Sequence, residues 1–252
     1  APFNDLATTT AIIEQHHDAL AAVIVEPLQR TIPPAPGFLA ELRRITAHYG
    51  IVLVFDEVVT GFRLALGGAQ ERYGVTPDLC ALGKSISAGH PLGVVCGRRD
   101  ILALADPERC EHGDSVLLTG TYSGNPISAV AALACIAELR RPGVYAALAA
   151  TGSYLMTTLQ RLCDEARVPV HVLGEPAVFQ PWFTSGEIVD HRSTLGADRG
   201  RAAAFTDRLL DAGVVKAHEK FFLSTAHGPE DIARTVEAFA YAVERLAAGA
   251  GA

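Results

Sequence analysis

Apolar residues in the first half of the chain follow two alternating rhythms. Short, nearly unbroken runs occupy residues 21–25, 51–55, 79–82 and 93–96. Between the first two, Phe38, Leu42, Ile45 and Tyr49 recur at helical spacing, and Gly50 stands where a C-terminal cap belongs. The run at 51–55 is apolar throughout and ends at Asp56-Glu57. Parallel strands covered on both faces have that character. Strand, helix and strand in this order predict a βαβ unit, hence an α/β fold with a mostly parallel sheet flanked by helices.

The second half has a different rhythm. Asn125-Pro126 opens an Ala-rich helical stretch reaching about residue 139, and residues 140–143 break it. Further helices are predicted over 144–166 and 199–212, the latter capped by Gly213. A last one starts at Pro229, a residue suited to the first helical position, and carries the stripe Ile232, Val236, Phe239, Val243 and Leu246. Short strands are expected at 168–172, 178–183 and 221–224. The pattern predicts a small α+β C-terminal domain. The domain change is placed within the helix at 126–139, giving residues 1–134 and 135–252.

Composition narrows the class. Of 252 residues, 49% are apolar and 19% charged, a balance foreign to disordered chains. The net charge of −7 offers no basic face for nucleic acid. No apolar run is long enough to cross a bilayer, and residues 1–10 lack the pattern of a secretory signal. Cys80, Cys96, Cys110, Cys135 and Cys163 are scattered singly. Their odd count and the lack of a C-x-x-C pair argue against a disulfide framework and a zinc site. They read as reduced thiols of a cytoplasmic protein with no metal.

Three features could carry chemistry. Asp56-Glu57 follows a buried strand, where open α/β sheets bind ligands; a helix cap or a salt-bridged loop would have the same sequence. Gly83-Lys84-Ser85 follows another short strand. A desolvated lysine there can form a Schiff base, although most loop lysines are simply solvated. A phosphate loop does not fit, because its first glycine would fall at Asp78. Residues 120–126, Gly-Thr-Tyr-Ser-Gly-Asn-Pro, precede a helix, where hydroxyls and backbone N–H groups suit a phosphate or an ordinary cap. Together they match the needs of pyridoxal phosphate: a lysine for the aldehyde, a carboxylate for the ring nitrogen and donors for the phosphate.

The chain resembles the class III, fold-type I pyridoxal-phosphate-dependent aminotransferases, on the branch around glutamate-1-semialdehyde aminomutase. The blocks carrying the resemblance are Val25-Glu26-Pro27, residues 55–63, Gly67-Gly68-Ala69-Gln70, residues 74–79, Leu82-Gly83-Lys84, Pro91-Leu92-Gly93 and residues 121–126. It implies a homodimeric enzyme that transfers an amino group between an amino donor and a keto or aldehyde acceptor. An intramolecular aminomutase reaction is the alternative. Lys84 would form the Schiff base and act as the proton-moving catalytic group. Asp56 would pair with the ring nitrogen and Val58 pack on one ring face. Thr121 would reach the phosphate, in this family usually that of the neighbouring subunit, and Glu26 would lie near the substrate.

Two departures stand out. The glycine run usual after the lysine is the bulkier Ser85-Ile86-Ser87-Ala88-Gly89-His90. Family members also extend well before position 1 of this sequence, with a turn that cups the phosphate and an aromatic residue that stacks on the ring. The expectation is therefore a partial cofactor domain. Either the chain is the C-terminal half of a split enzyme completed by a separate N-terminal chain, or it is part of a longer polypeptide.

Overall fold

A computed structural model of the chain describes residues 1–112 and 115–249. Two units emerge. The first comprises Ala1, Asp5–Pro27 and Pro36–Arg141; the second comprises Pro2–Asn4, Leu28–Ala35 and Pro142–Ala252.

The first unit opens with α1 (Leu6–His16), which the apolar pattern does not reveal. Its run Thr8-Thr9-Thr10 is β-branched and only Thr9 and Ile13 are buried, so no stripe marks it. Asp5 starts it, accepting from Thr8 N at 2.9 Å. There follow β1 (Ala22–Val25), α2 (Phe38–His48), β2 (Val52–Glu57), α3 (Gly68–Tyr73), β3 (Leu79–Leu82), β4 (Val94–Gly97), α4 (Arg99–Leu102) and α5 (Pro126–Leu139). The strands lie in the order β1-β2-β3-β4. The first three are parallel and β4 is antiparallel to β3. The expected α/β class and the largely parallel sheet are both present.

Helix α2 buries Phe38, Leu39, Leu42 and Ile45 along one face and packs on β2 and α1. Leu53 and Phe55 of β2 are fully buried. The strand does not stop before the acidic pair. Asp56 pairs with Ala81 and Glu57 with Leu82, so the ladder carries both carboxylates. Just before β3, the buried carboxylate of Asp78 accepts from Leu53 N at 2.8 Å, Arg43 Nη1 at 2.7 Å and Arg98 Nη1 at 3.2 Å. Burial alone would raise its pKa. The Leu53 amide and the two guanidinium groups outweigh that and hold it below the ordinary aspartate value.

The second unit contains α6 (Val144–Glu165), β5 (His171–Glu175), β6 (Val178–Trp182), α7 (Arg199–Asp211), β7 (Phe221–Phe222) and α8 (Pro229–Gly249). Its sheet is antiparallel in the order β5-β6-β7. Strand β5 begins three residues later than the apolar run suggests. Val168 N still donates to Cys163 O, closing α6, and the ladder opens only at His171 opposite Trp182. The core is built from Leu155, Leu159, Phe179, Phe205, Leu209 and Phe239. Phe179 stacks on Phe221, and Phe221 meets Phe239 edge-on. Leu28–Ala35 joins this unit through the indole of Trp182, which donates to Thr31 Oγ1 at 3.2 Å. Helix α5, where the sequence pattern set the domain change, lies whole in the first unit. Among the described residues, no helix is long and apolar enough to cross a membrane.

Candidate active site

Three parallel strands in register deliver three segments to one end of a sheet. Val25 pairs with Phe55, so Glu26 leaves β1 beside Asp56. Glu57 pairs with Leu82, so Gly83-Lys84 leaves β3 just beyond the end of β2. Neighbouring strands are about 4.8 Å apart, so Glu26 lies one strand spacing from Asp56, and the Lys84 segment emerges from the strand on the other side of β2, at the same end of the sheet.

Alternation along β2 separates its two carboxylates. Glu57 is fully buried. Its Oε2 accepts from Thr60 Oγ1 at 3.0 Å and Ala69 N at 2.6 Å, and its Oε1 from Gln70 Nε2 at 2.8 Å. It fastens the start of α3, and these bonds take up most of its acceptor capacity. Gly68 makes this possible: its φ is +65°, and a Cβ there would stand 2.3 Å from Glu57 Oε2. Asp56 points to the other face and is half-buried. Its Oδ1 accepts from Val58 N at 3.1 Å, which turns the chain at the strand end.

Val58 lies against the lysine segment. A Cβ on Gly83 would be 3.6 Å from Val58 Cγ1. Lys84 itself has φ +46°, left-handed for a non-glycine residue, and an exposed side chain. Phe62 (φ +56°) and Ala88 (φ +48°) share that backbone region nearby in sequence. Such conformations are costly and concentrate at functional positions. Hydrogen bonds hold the segment in place. Ser87 Oγ donates to Lys84 O at 2.6 Å and Ser85 Oγ to Gly61 O at 2.9 Å. Helix α5 adds Cys135 Sγ donating to Ser85 O at 3.3 Å, and Ser128 Oγ to Pro91 O at 2.9 Å.

The structure thus brings together Asp56, Val58 and Lys84, with Glu26 half-buried one strand away. Thr121 is not part of this group; it is exposed in the turn before α5. That turn ends in an ordinary cap, Asn125 Oδ1 accepting from Ile127 N at 2.9 Å. His90 is exposed.

Each unit also holds a cavity. One of about 430 Å³ in the first unit is lined by Glu57, Gln70, Cys80, Cys96 and Arg98. One of about 580 Å³ in the second unit includes Gln180, Trp182, Arg199 and Lys216. Lys216 was not singled out by the sequence pattern. Burial pushes its pKa down to about 8, against a smaller opposing pull from Glu219. Its Nζ donates to Ala217 O and His218 O. Only the packing of its loop, which no motif announces, could have revealed it.

Residues 4–227 match the family profile described as Aminotransferase class-III. The chain belongs to the class-III aminotransferase family. A glutamate-1-semialdehyde 2,1-aminomutase of Pelotomaculum thermopropionicum is 43% identical over 248 residues, which cover 96% of this chain and 56% of that protein. An omega-transaminase of Sphaerobacter thermophilus superposes with a TM-score of 0.90 at 35% identity, over 97% of this chain and 56% of its own. A solved transaminase with PLP bound gives a TM-score of 0.88 at 27% identity, over 99% and 58%. This class-III aminotransferase chain spans little more than half the length of these relatives.

Pyridoxal 5'-phosphate is the cofactor of the class-III aminotransferases, and its ring fits the residues at the strand ends. A half-buried carboxylate, an apolar side chain and an exposed lysine on a constrained turn converge there. The hydroxyls flanking the lysine are occupied, since both Ser85 and Ser87 donate to carbonyl oxygens. Phosphate donors must therefore come from residues other than these two.

Proposed function

We propose that the chain supplies the lysine and the ring-nitrogen carboxylate of a pyridoxal-phosphate-dependent aminotransferase site. The observation carrying this reading is the delivery of Asp56 and Lys84 to the same end of adjacent parallel strands, with Val58 against Gly83. Pyridoxal phosphate supplies an electron sink for a carbanion beside the substrate nitrogen. Asp56, anchored by the Val58 amide, would hold a proton on the ring nitrogen. Val58 would exclude water from one ring face. Lys84 would tether the cofactor and, once released, move the proton at the substrate α-carbon. Glu26 would lie on the substrate side. Thr121, exposed in its turn, would reach a phosphate in a neighbouring subunit.

The reaction is amino transfer between an amino donor and a keto or aldehyde acceptor. One observation favours a second reading, an intramolecular aminomutase: the relative at 43% identity is a glutamate-1-semialdehyde 2,1-aminomutase. A homodimer, or a partner chain providing the remaining elements, completes the site. The setting is cytoplasmic, in keeping with four unbridged cysteines among the described residues.

The decisive experiment is borohydride reduction in the presence of pyridoxal phosphate, followed by peptide mapping. The expected outcome is cofactor fixed on Lys84. Lys84→Ala should lose the fixed label and the cofactor's visible absorption, while Lys216→Ala keeps both. Label on Lys216 in the parent protein, or absorption unchanged in Lys84→Ala, would overturn the reading.

A further inference from the structure

Cys80 and Cys96 share a rung of the sheet. Strands β3 and β4 run antiparallel with these two residues directly opposed. The Arg98 amide donates to Asp78 O at 2.9 Å, and hydrogen-bonded rungs alternate with non-bonded ones along an antiparallel pair. Two residues further along each strand, Cys80 and Cys96 form the next hydrogen-bonded rung, with Cα atoms about 5.5 Å apart. Opposed residues project to the same face of the sheet. Disulfides bridge Cα separations of about 4.4–6.8 Å, but their Cβ atoms lie about 3.5–4.5 Å apart, closer than at a hydrogen-bonded rung, so a bond here draws the two strands slightly together and is correspondingly easy to reduce. Both thiols line the 430 Å³ cavity, which gives a small reagent access. Neither belongs to the group at the strand ends.

We propose that Cys80 and Cys96 form a reversible disulfide by exchange with a small-molecule disulfide such as oxidised glutathione, clamping the segment that carries Lys84. Cys96, half-buried, attacks first. Burial, reinforced by Cys96 and Glu57, pushes the Cys80 thiol up to about 11, so it is a poor initial nucleophile at neutral pH. The Cys96 thiolate bonds to one reagent sulfur while the reagent's own S–S bond breaks, and the departing thiolate takes up the proton Cys96 gave. Cys80 then attacks the Cys96 sulfur and expels the second thiolate, which receives the Cys80 proton. Two protein thiols are oxidised and one reagent disulfide is reduced to two thiols. The closed loop contains residues 81–95 and therefore the whole Lys84 turn. This chemistry does not depend on the role proposed for Lys84.

The test incubates the purified chain with oxidised glutathione at neutral pH, then maps peptides without reduction and counts thiols. A Cys80–Cys96 cross-link should appear, with the thiol count falling from five to three and returning on reduction. Amide exchange over residues 83–93 should slow in the oxidised form. Cys80→Ser should trap glutathione on Cys96, whereas Cys96→Ser should leave Cys80 unmodified. A stable mixed disulfide on Cys96 in the parent chain, a cross-link between other cysteines, or faster labelling of Cys80 than of Cys96 would overturn the proposal. The mapping on the parent chain decides the matter even if a serine variant fails to fold.

Discussion

Asp56 and Glu57 are neighbours in sequence, yet the pleat assigns them opposite work. Glu57 is buried among an amide, a hydroxyl and a side-chain amide, each hydrogen bond to a charged acceptor contributing about 1.5–3 kcal/mol. Asp56 stays half-exposed, which leaves it open to the proposed cofactor. The sequence showed that a carboxylate pair ends the strand, but composition alone cannot say which of the two is spare. That depends on Gly61 and Gly68, which let the loop close over Glu57. Asp78 gives a pH-dependent prediction at the same scale. Its folded pKa lies below its unfolded value, so its contribution is present above the ordinary aspartate pKa of about 3.9 and fades as pH falls through the lower folded value. Urea midpoints measured from pH 6 to 2 should fall in the acid range for the parent chain. Asp78→Asn should be about 2 kcal/mol less stable at pH 7 and flatter below pH 4. A variant whose acid profile parallels the parent's would contradict this.

Elements with a strong apolar period were legible from the chain. Strands β1 and β3 and helices α2 and α7 fall within a residue or so of where the pattern puts them. Helix α1 escaped because it buries too little to leave a stripe. Strand β5 was misplaced because buried Val168 and Val170 serve the end of α6 before the ladder starts. Helix–hairpin contact is likewise invisible in one dimension, and Gly152 shows its force. Inside α6, alanine would ordinarily be favoured over glycine by up to about 1 kcal/mol. Here a Cβ would lie 1.9 Å from Pro176 O, in the turn between β5 and β6. Gly152→Ala should therefore destabilise the second unit by about 2–3 kcal/mol, read as a lower urea midpoint. A stabilised variant would show that propensity outweighs contact there.

At the scale of the molecule, the first unit leaves apolar surface uncovered. Leu117 and Leu118 are more than 70% exposed, and Ile127, Val130 and Leu133 of α5 are each about two-thirds exposed. Scattered exposed apolar residues are unremarkable, but a run of them along one segment and one helix face marks an association surface. The chain should self-associate as its concentration rises in sedimentation experiments, and Leu133→Lys should weaken that association. A monodisperse monomer across the concentration range would count against it.

The antiparallel β4 carries one last implication. Leu82 and Val94 are opposed rungs of one ladder, so the intervening stretch starts and finishes at the same place on the sheet. Its two ends meet the sheet at one seam, while bonds to Gly61 and from Ser128 and Cys135 tie its middle to the rest of the unit. Replacing residues 83–93 with a tight hairpin turn would leave every strand pairing of the first unit's sheet intact while deleting the lysine turn outright. The strand framework and the lysine turn can thus be varied one at a time, provided a replacement loop meets Ser128 and Cys135 of α5 as the present one does.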